Sequence, residues 1–342
     1  MKEKMNQLNR REFLKISGLS IAANSVWGMN FTPFLQDKTS SQIRNRVKNP
    51  YMLNGKPMLV VVEGNDVDQM LKKGFEVLGG IKKLCGTNKE IILKPNYVSP
   101  ERYPEVTATD TICSMIDIIR KSDSYNITVA DGNSSRESTI ETFKKTGLKD
   151  ELDRRKVATA DLHECPSVKI KSPEWKYMDE VEVFDKIMEA PVVINMPTLK
   201  QHSQTGFTCS LKNLMGCIPR TNRRVAHRDK DRGKYSRAEM LVRMRYSIAE
   251  LAHAVNPELT IIDTRKIMLN NHHFRGGGTL KDDNKIIISG DAVAVDVYAG
   301  ELMKEHNPNF SETWVTQTTE LAQNLKLGIA DLNKVEIIKV QT

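Results

Sequence analysis

The sequence has no long apolar run. No stretch approaches the roughly 18 consecutive apolar residues that a membrane-spanning helix requires. Aromatic residues make up only 6% of the chain and hydrophobic residues 39%, which predicts a soluble, rather polar protein. The 342 residues are enough for a large core. Length alone favours two domains, although one large α/β domain of this size is common.

Several cofactor motifs are also missing. The five cysteines include no Cys-x-x-Cys pair, so ferredoxin-type Fe–S spacing is excluded. No Walker loop and no Gly-x-Gly-x-x-Gly turn occurs. An odd cysteine count leaves at least one thiol unpaired, and we expect most of the five to be buried structural thiols.

The N-terminus carries a targeting signal. Asn9-Arg10-Arg11-Glu12-Phe13-Leu14-Lys15 resembles the twin-arginine export motif of bacteria, and a short, weakly apolar stretch follows from Ile16 to Val26. The alternative is a basic amphipathic helix of the mature protein. Residues 1–28 are expected to be the signal segment and 29–57 a polar linker. The expected location is the periplasm, with the leader either cleaved or kept as a membrane anchor, and the export machinery is an expected partner.

Positive charge is concentrated in one segment. The formal charge is +8, and residues 219–245 hold ten Lys or Arg and three Asp or Glu, a net charge of +7. Nucleic acid is not expected as a partner, because export and the scarcity of aromatics in this segment both argue against it. A polyanionic ligand held by Arg223 and Arg224, or peripheral contact with an acidic membrane surface, fits the segment better than nucleic acid does, and a solvated surface loop is the alternative.

Strand and helix patterns alternate from residue 58 to the end of the sequence. Short β-branched runs such as Val192–Ile194 predict buried strands, and apolar residues at helical spacing follow them. We therefore predict a mostly parallel, layered α/β sheet flanked by helices over residues 58–342. Val168–Ile170 and Val181–Val183 predict a small peripheral β ribbon. Residues 219–235 are predicted to be a basic loop.

The stretch from Pro191 to Pro219 is predicted to carry the site. After the strand, a polar loop is expected to hold Lys200 and His202. Thr205 or Gly206 is expected to cap a helix from Phe207 to Met215, with Thr208 and Lys212 on one face. A second loop is predicted over Ile267–Thr279. It contains His272 and His273, which look like an isolated pair, and three glycines that favour a flexible lid.

Polar residues follow several predicted strands. Because the carboxyl ends of parallel strands share one edge of a sheet, we expect one pocket there. Its expected ligand- or cofactor-binding residues are Lys94, Asn96, Asp131, Ser134, Asn195, Asn213, Arg223 and Arg224. Lys200, His202 and Lys212 are the candidates for proton transfer or electrostatic catalysis. His202, joined by His227 from the basic loop, is the candidate metal ligand.

Four blocks of residues together resemble one family. They are Leu93–Val98, Val129–Ser134, Asn195–Gly216 and Ser289–Asp296. The combination resembles domain-of-unknown-function family 362. The resemblance implies the α/β fold but no particular reaction. The chain is also distantly similar to the nucleotide-cofactor domain of nickel-pincer lactate racemase, which implies a metal or nucleotide-derived cofactor. The spacing of Lys200 and His202 differs from the racemase pattern, so no ligand role is carried over.

Two functions follow as alternatives. The first is an exported enzyme that binds an anionic small molecule or cofactor, with a cofactor-dependent oxidoreductase or isomerase as the favoured classes. The second is a periplasmic binding protein or cofactor carrier that uses the same pocket without turnover.

Overall fold

The structure is a computed structural model that describes residues 42–88, 90–226 and 233–342. The predicted leader and His227 lie outside the described residues, as does the side chain of Arg224. Among the described residues, no helix is both long and apolar enough to cross a membrane. All five cysteines are free thiols, four of them buried and Cys165 half-buried.

The described strands alternate with helices, as predicted. The strands are β1 Met52–Leu53, β2 Lys56–Glu63, β3 Glu90–Pro95, β4 Asn126–Asp131, β5 Ala158–Asp161, β6 Ser167–Ile170, β7 Val181–Phe184, β8 Val192–Met196, β9 Lys200–His202, β10 Gly206–Thr208, β11 Leu259–Asp263, β12 Lys266–Leu269, β13 Thr279–Asp282, β14 Lys285–Ser289 and β15 Glu336–Gln341. The helices are α1 Val67–Leu78, α2 Lys82–Cys85, α3 Thr109–Ser122, α4 Thr139–Lys145, α5 Leu148–Arg154, α6 Asp185–Met188, α7 Ser210–Asn213, α8 Arg220–Ala226, α9 Arg237–Val255, α10 Ala292–His306 and α11 Thr313–Asn324.

Nine of these strands form the central sheet. Its order is β15-β2-β14-β11-β8-β3-β4-β5, with the short β1 pairing antiparallel to the start of β2. The neighbours from β11 to β5 are parallel, as are β15 and β2, whereas β14 runs antiparallel to both of its neighbours. The mostly parallel α/β sheet predicted from the sequence is confirmed. The peripheral ribbon is the antiparallel pair β6–β7.

Helices cover both faces of this sheet. Along β3, Ile91 and Leu93 face one side, where they pack in a core with α1 and α3. Ile92 faces the other side and packs in a core with α9 and the β6–β7 ribbon. A third apolar cluster lies under α10 and includes Ile262 and Ile287. Burial on both faces explains why these strands are continuous apolar runs rather than alternating ones.

Side-chain caps start some of the described helices. Ser236 and Glu239 form a capping box at the start of α9, where the sequence predicts a Ser236 cap. The side chain of Asp291 accepts from the amides of Val293 and Ala294 at the start of α10. For α3 the sequence predicts Thr109 or Asp110 as the cap, and this prediction is wrong, because the N-cap residue is Ala108 and it makes no side-chain hydrogen bond.

Three predicted segments have a different structure. The predicted polar loop and the helix from Phe207 to Met215 are replaced by a β9–β10 hairpin, and α7 begins only at Ser210. Thr208 therefore lies in a strand and does not share a helix face with Lys212. The predicted loop over Ile267–Thr279 contains β12 and the start of β13. These strands assemble into a second sheet of order β10-β9-β12-β13. The first part of the predicted basic loop is helix α8.

Candidate functional site

A cavity of about 410 Å³ lies at the carboxyl edge of β3, β4 and β8. The central sheet and the loops after β3 and β4 supply part of its lining, and the second sheet, α7 with the turn after it, α8 and the loop after β12 supply the rest. Its lining residues are Lys94, Asn96, Val98, Ser99, Asp131, Gly132, Ser134, Ser135, Lys200, His202, Thr208, Lys212, Asn213, Met215, Gly216, Arg223, His272 and His273. The strand-end residues singled out in the sequence thus lie together, with the exception of Asn195.

A buried ion pair lies at the base of the cavity. The Nζ atom of Lys94 donates to Asp131 Oδ1 at 2.6 Å, to the carbonyl oxygen of Pro95 at 2.7 Å and to Asn213 Oδ1 at 3.3 Å. The other oxygen of Asp131 accepts from the amide of Tyr97 at 2.8 Å. All three ammonium hydrogens of Lys94 therefore have acceptors, and the pair adds no net charge to the cavity.

Three asparagine side chains connect the strand ends to α7. Asn213 Nδ2 donates to Asn195 Oδ1 at 2.7 Å, and Asn96 Nδ2 donates to Asn213 Oδ1 at 2.7 Å. Asn195 Nδ2 in turn donates to the carbonyl oxygen of Ser210 at 2.9 Å. Asn195 is fully buried and lies beneath the cavity. It can hold α7 in position but does not reach a molecule bound in the cavity.

Lys200 is buried and is held by two acceptors. Its Nζ atom donates to the carbonyl oxygen of Glu105 at 2.6 Å and to Asn96 Oδ1 at 3.2 Å. Burial, together with the charge of Lys212, lowers the pKa of Lys200 to about 7. A neutral amine has two N–H groups and one lone pair. The two acceptors satisfy the N–H groups and leave the lone pair available.

Lys212 differs from Lys200 in that no acceptor holds its amine within the described part of the chain. It is half-buried, and within the described part of the chain its ammonium has no hydrogen bond or ion pair. Burial, together with the charge of Arg223, lowers the pKa of Lys212 to about 8. Lys212 is therefore a cation that lines the cavity without a counter-ion among the described residues.

A histidine wall closes one side of the cavity. His202 Nδ1 accepts from the amides of Gln204 and Thr205 at 3.1 and 3.2 Å. The ring of His202 stacks on that of His272, with centroids 3.9 Å apart and planes 17° apart. Burial, then the charges of His273, Lys212 and Lys200, lower the pKa of His272 to about 3, so this ring is neutral at pH 7.

Glu105 anchors the loop that carries these histidines. Its carboxylate contacts His273 Nδ1 at 2.8 Å and accepts from the amide of Phe274 at 3.0 Å and the hydroxyl of Ser99 at 2.8 Å. Burial alone raises the pKa of Glu105, but these hydrogen bonds outweigh burial and hold it at about 2. The charge of Glu105 is thus used beneath the loop and not in the cavity.

Arg223 holds backbone at the rim. Its Nε donates to the carbonyl oxygen of Met215 at 2.9 Å, and its Nη1 donates to the carbonyl oxygen of Asn133 at 2.7 Å and to Ser134 Oγ at 3.0 Å. Its Nη2 donates to the carbonyl oxygen of Gly132. Most of its donors therefore fix the loop after β4, while its positive charge still faces the cavity.

The sequence profile of the domain of unknown function DUF362 matches residues 91–301, which include every residue that lines the cavity. The chain belongs to the DUF362 family. A curated relative, a thylakoid-associated protein of Synechocystis, is 32% identical over 117 residues. That match covers 34% of each of the two chains, so this DUF362 chain spans about a third of its curated relative.

Two solved structures match parts of this chain. The lactate racemase apoprotein of Thermoanaerobacterium thermosaccharolyticum has a TM-score of 0.48 at 16% identity, with 71% of this chain and 56% of that chain covered. A protein from Thermotoga maritima has a TM-score of 0.39 at 14% identity, with 77% of this chain and 60% of that chain covered.

The described residues do not fit a metal site in this DUF362 chain. They contain no group of three or more His, Cys, Asp or Glu side chains placed to hold a metal ion. His202 and His272 stack face to face, an arrangement in which the in-plane lone pairs of the two rings do not converge on one ion. The predicted pairing of His202 with His227 stays a prediction, because His227 lies outside the described residues.

Sequence reasoning missed the contribution of the loop after β12. His272 and His273 look isolated in the sequence, yet both line the cavity. The sequence did offer one indication. This loop follows shortly after β11, which is parallel to β8, so the loop could be expected near the carboxyl edge of the sheet. Glu105 gave no such signal, since it lies in an irregular segment and acts through the loop it anchors.

Proposed function

We propose that this protein binds a small organic or phosphorylated anion in the cavity, with Lys212 as the cation that meets it. The observation that carries the proposal is the Lys212 ammonium, which lines the cavity without a partner among the described residues. An ammonium ion removed from bulk water and left without a counter-ion is costly, and a bound anion supplies the missing partner.

The surrounding charges support the same conclusion. The two carboxylates nearest the cavity are already engaged, Asp131 by Lys94 and Glu105 by His273. Lys200 and Arg223 add positive charge. In addition to burial, Arg223 lowers the pKa of Lys212 and Lys212 lowers the pKa of Lys200, while the pKa of Arg223 is itself lowered. A site whose cations repel one another gains stability when an anion enters.

Lys200 favours an enzyme over a passive carrier. An amine with a pKa of about 7 and a free lone pair is suited to take up and return a proton at neutral pH. His202, with Nδ1 held by two amides, is the second candidate for proton transfer. In this proposal Lys212 binds the anion and Lys200 moves the proton. The carrier function remains the second candidate, because the anion site itself requires no turnover.

Thermal unfolding with added anions tests the binding site. We expect phosphate, pyrophosphate and malonate to raise the melting temperature of the wild-type protein, because an anion that binds only the folded state stabilises it. Lys212→Gln should lose most of this shift. The matched control is Lys72→Gln, an exposed lysine of α1, which should keep it. Equal shifts in wild type and Lys212→Gln would refute the proposal.

His202→Asn separates an enzyme from a carrier. If the protein is an enzyme, this variant should keep anion-induced stabilisation and lose turnover of whichever anion is found to react. If the protein is a carrier, binding should be the only property that changes. Native mass spectrometry with elemental analysis, on protein purified without chelator, would identify an anion or cofactor that is retained during purification.

Export is part of the proposal and rests on the sequence alone. The twin-arginine pattern at Arg10 and Arg11 favours transport of a folded, ligand-loaded protein to the periplasm. Replacing both arginines by lysine and fractionating the cells tests this. The double variant should stay in the cytoplasm, and unchanged fractionation would exclude the twin-arginine route.

A further inference from the structure

Three lysines line the cavity; Lys94 is paired with Asp131, and the other two, Lys200 and Lys212, differ in how their amines are held. Lys200 Nζ is fixed by the Glu105 carbonyl oxygen and Asn96 Oδ1. Lys212 Nζ is the end of a flexible side chain with no hydrogen bond among the described residues. The first geometry suits a group that exchanges a proton at a fixed point. The second suits a group that moves to form a bond.

The environment of Lys212 makes its uncharged form easier to reach than that of an ordinary lysine. The charged or titratable side chains that share its cavity are Lys94, Asp131, Lys200, His202, Arg223, His272 and His273. The only carboxylate among these is Asp131, and it is paired with Lys94. A desolvated lysine beside other cations is the arrangement in which a lysine amine becomes a nucleophile near neutral pH.

We propose that Lys212 captures a carbonyl-bearing organic acid, a 2-oxo acid or an aldehyde acid, as an imine. The inference rests on the proposed function, because the same cationic cavity must hold the carboxylate of that acid. The apolar side chains of Val98 and Met215 in the lining leave room for a short carbon chain beside the carboxylate. The cavity volume of about 410 Å³ accommodates a molecule of this size.

The bond changes balance without an outside reagent. Lys200 takes one proton from the Lys212 ammonium, and the freed amine attacks the carbonyl carbon. A proton then moves from nitrogen to oxygen, which gives a carbinolamine. Lys200 returns its proton to the hydroxyl group, which leaves as water, and the nitrogen lone pair forms the C=N bond. The net change is one ammonium and one carbonyl to one protonated imine and one water.

Reductive trapping tests this inference. The full chain is incubated at pH 7 with glyoxylate or pyruvate and sodium cyanoborohydride, and modified lysines are located by peptide mass mapping. We expect Lys212 to be modified at least about tenfold faster than Lys72, because a lysine with a lowered pKa has a larger uncharged fraction at pH 7. Pyrophosphate should slow modification of Lys212 and leave that of Lys72 unchanged.

Two variants make the result specific. Lys212→Arg keeps a positive charge but cannot form the imine, so it should retain pyrophosphate-induced stabilisation and lose the selective adduct. Lys200→Met should lower the rate of adduct formation at Lys212 by about tenfold or more, because the proton acceptor is gone. Thermal unfolding of each variant confirms that it is folded before its labelling rate is compared.

The outcomes separate the two proposals. A selective adduct at Lys212 supports the imine. Modification of Lys212 no faster than Lys72, in protein that pyrophosphate still stabilises through Lys212, overturns the imine and leaves the anion site intact. A selective adduct at Lys200 also overturns the assignment of the nucleophile. Loss of both the adduct and the stabilisation overturns both proposals.

Discussion

The ammonium of Lys94 lies 2.6 Å from the carboxylate of Asp131, and neither side chain is more than 2% exposed. The two residues come from neighbouring parallel strands, β3 and β4. Because the pair also binds Pro95, Tyr97 and Asn213, it fixes the base of the cavity rather than a ligand. Removing one partner leaves the other charge buried and unpaired.

Asp131→Asn should therefore lower the free energy of unfolding by about 3–5 kcal/mol, the usual cost of breaking a buried ion pair on one side. Urea unfolding measures the change. The control is Asp153→Asn, which breaks the exposed Lys149–Asp153 pair and should cost less than about 1 kcal/mol. The double variant Lys94→Met, Asp131→Asn should recover part of the loss, and a double variant less stable than Asp131→Asn alone would contradict this reasoning.

Gly216 should tolerate no side chain. A Cβ atom at this position would lie 2.3 Å from Asp131 Oδ1 and 2.6 Å from Lys94 Nζ. Gly216→Ala must push the ion pair apart, so we expect a loss of a few kcal/mol in unfolding free energy together with weaker pyrophosphate binding. Gly55→Ala, at an exposed turn with open space around it, gives the contrasting case of backbone strain alone. Unchanged pyrophosphate affinity in Gly216→Ala would show that the cavity does not depend on this contact.

Anion binding should weaken with rising pH. The pKa of Lys212 is lowered to about 8, so its charge is present below pH 8 and is lost as the pH rises through 8. Lys200, lowered to about 7, loses its charge first, and Arg223 adds positive charge throughout this range. Stabilisation by pyrophosphate should fall between pH 7 and 9. Lys212→Arg should flatten that fall, because arginine stays protonated. An equally steep fall in this variant would show that a group other than Lys212 causes the pH dependence.

Asp296 should make stability depend on pH. Its carboxylate accepts from the amides of Ser210 and Leu211 at the start of α7, and burial raises its pKa to about 7. Between about pH 4 and 7 the folded state keeps a proton that the unfolded state has lost, so this contribution to stability falls as the pH rises. Asp296→Asn should remove that slope, which is on the order of a few kcal/mol across the window. Urea unfolding at several pH values measures it, with Asp282→Asn on the exposed β13 as the control.

Glu105→Gln should loosen the histidine loop. The amide keeps the shape of the carboxylate but loses its charge and one acceptor for His273, the Phe274 amide or Ser99. Hydrogen exchange of the amides in residues 270–278 should become at least about tenfold faster, while the amides of β3 keep their protection. Unchanged exchange in residues 270–278 would show that other contacts hold this loop.

The central sheet was predictable because its signal is local. Runs such as Val192–Ile194 and Ile286–Ile288 are buried on both faces, and a strand buried on both faces needs apolar residues in succession. The start of α9 was predictable for a similar reason, since Ser236 and Glu239 lie three residues apart and form the cap by themselves.

The β9–β10 hairpin was not predictable from local signals. Its strands are three residues long, and Lys200 and His202 are buried in it although their side chains are polar. They are buried because distant residues surround them: Glu105 and Asn96 bind Lys200, and His272 stacks on His202. Periodicity cannot indicate such burial, because the partners lie far away in the sequence.

The position of Asn195 shows the same limit. Its place at a strand end predicted a ligand contact, whereas α7 covers it and its amide bonds to Ser210. Whether a strand-end side chain reaches a cavity or is covered depends on the segment packed above it. The sequence could predict which residues lie at this edge of the sheet. It could not predict which of them line the cavity and which are covered and support it.

The order of the segments along the chain governs when the cavity can exist. Its lining runs from Lys94 to His273, and β14, which separates β2 from β11 in the sheet, comes after all of these residues. A nascent chain on the ribosome has no complete lining until His273 has emerged from the exit tunnel. An anion therefore cannot act as an early template for folding. In the proposed function, loading would follow synthesis of nearly the whole chain, and the earlier segments would reach their places through their own apolar and polar contacts.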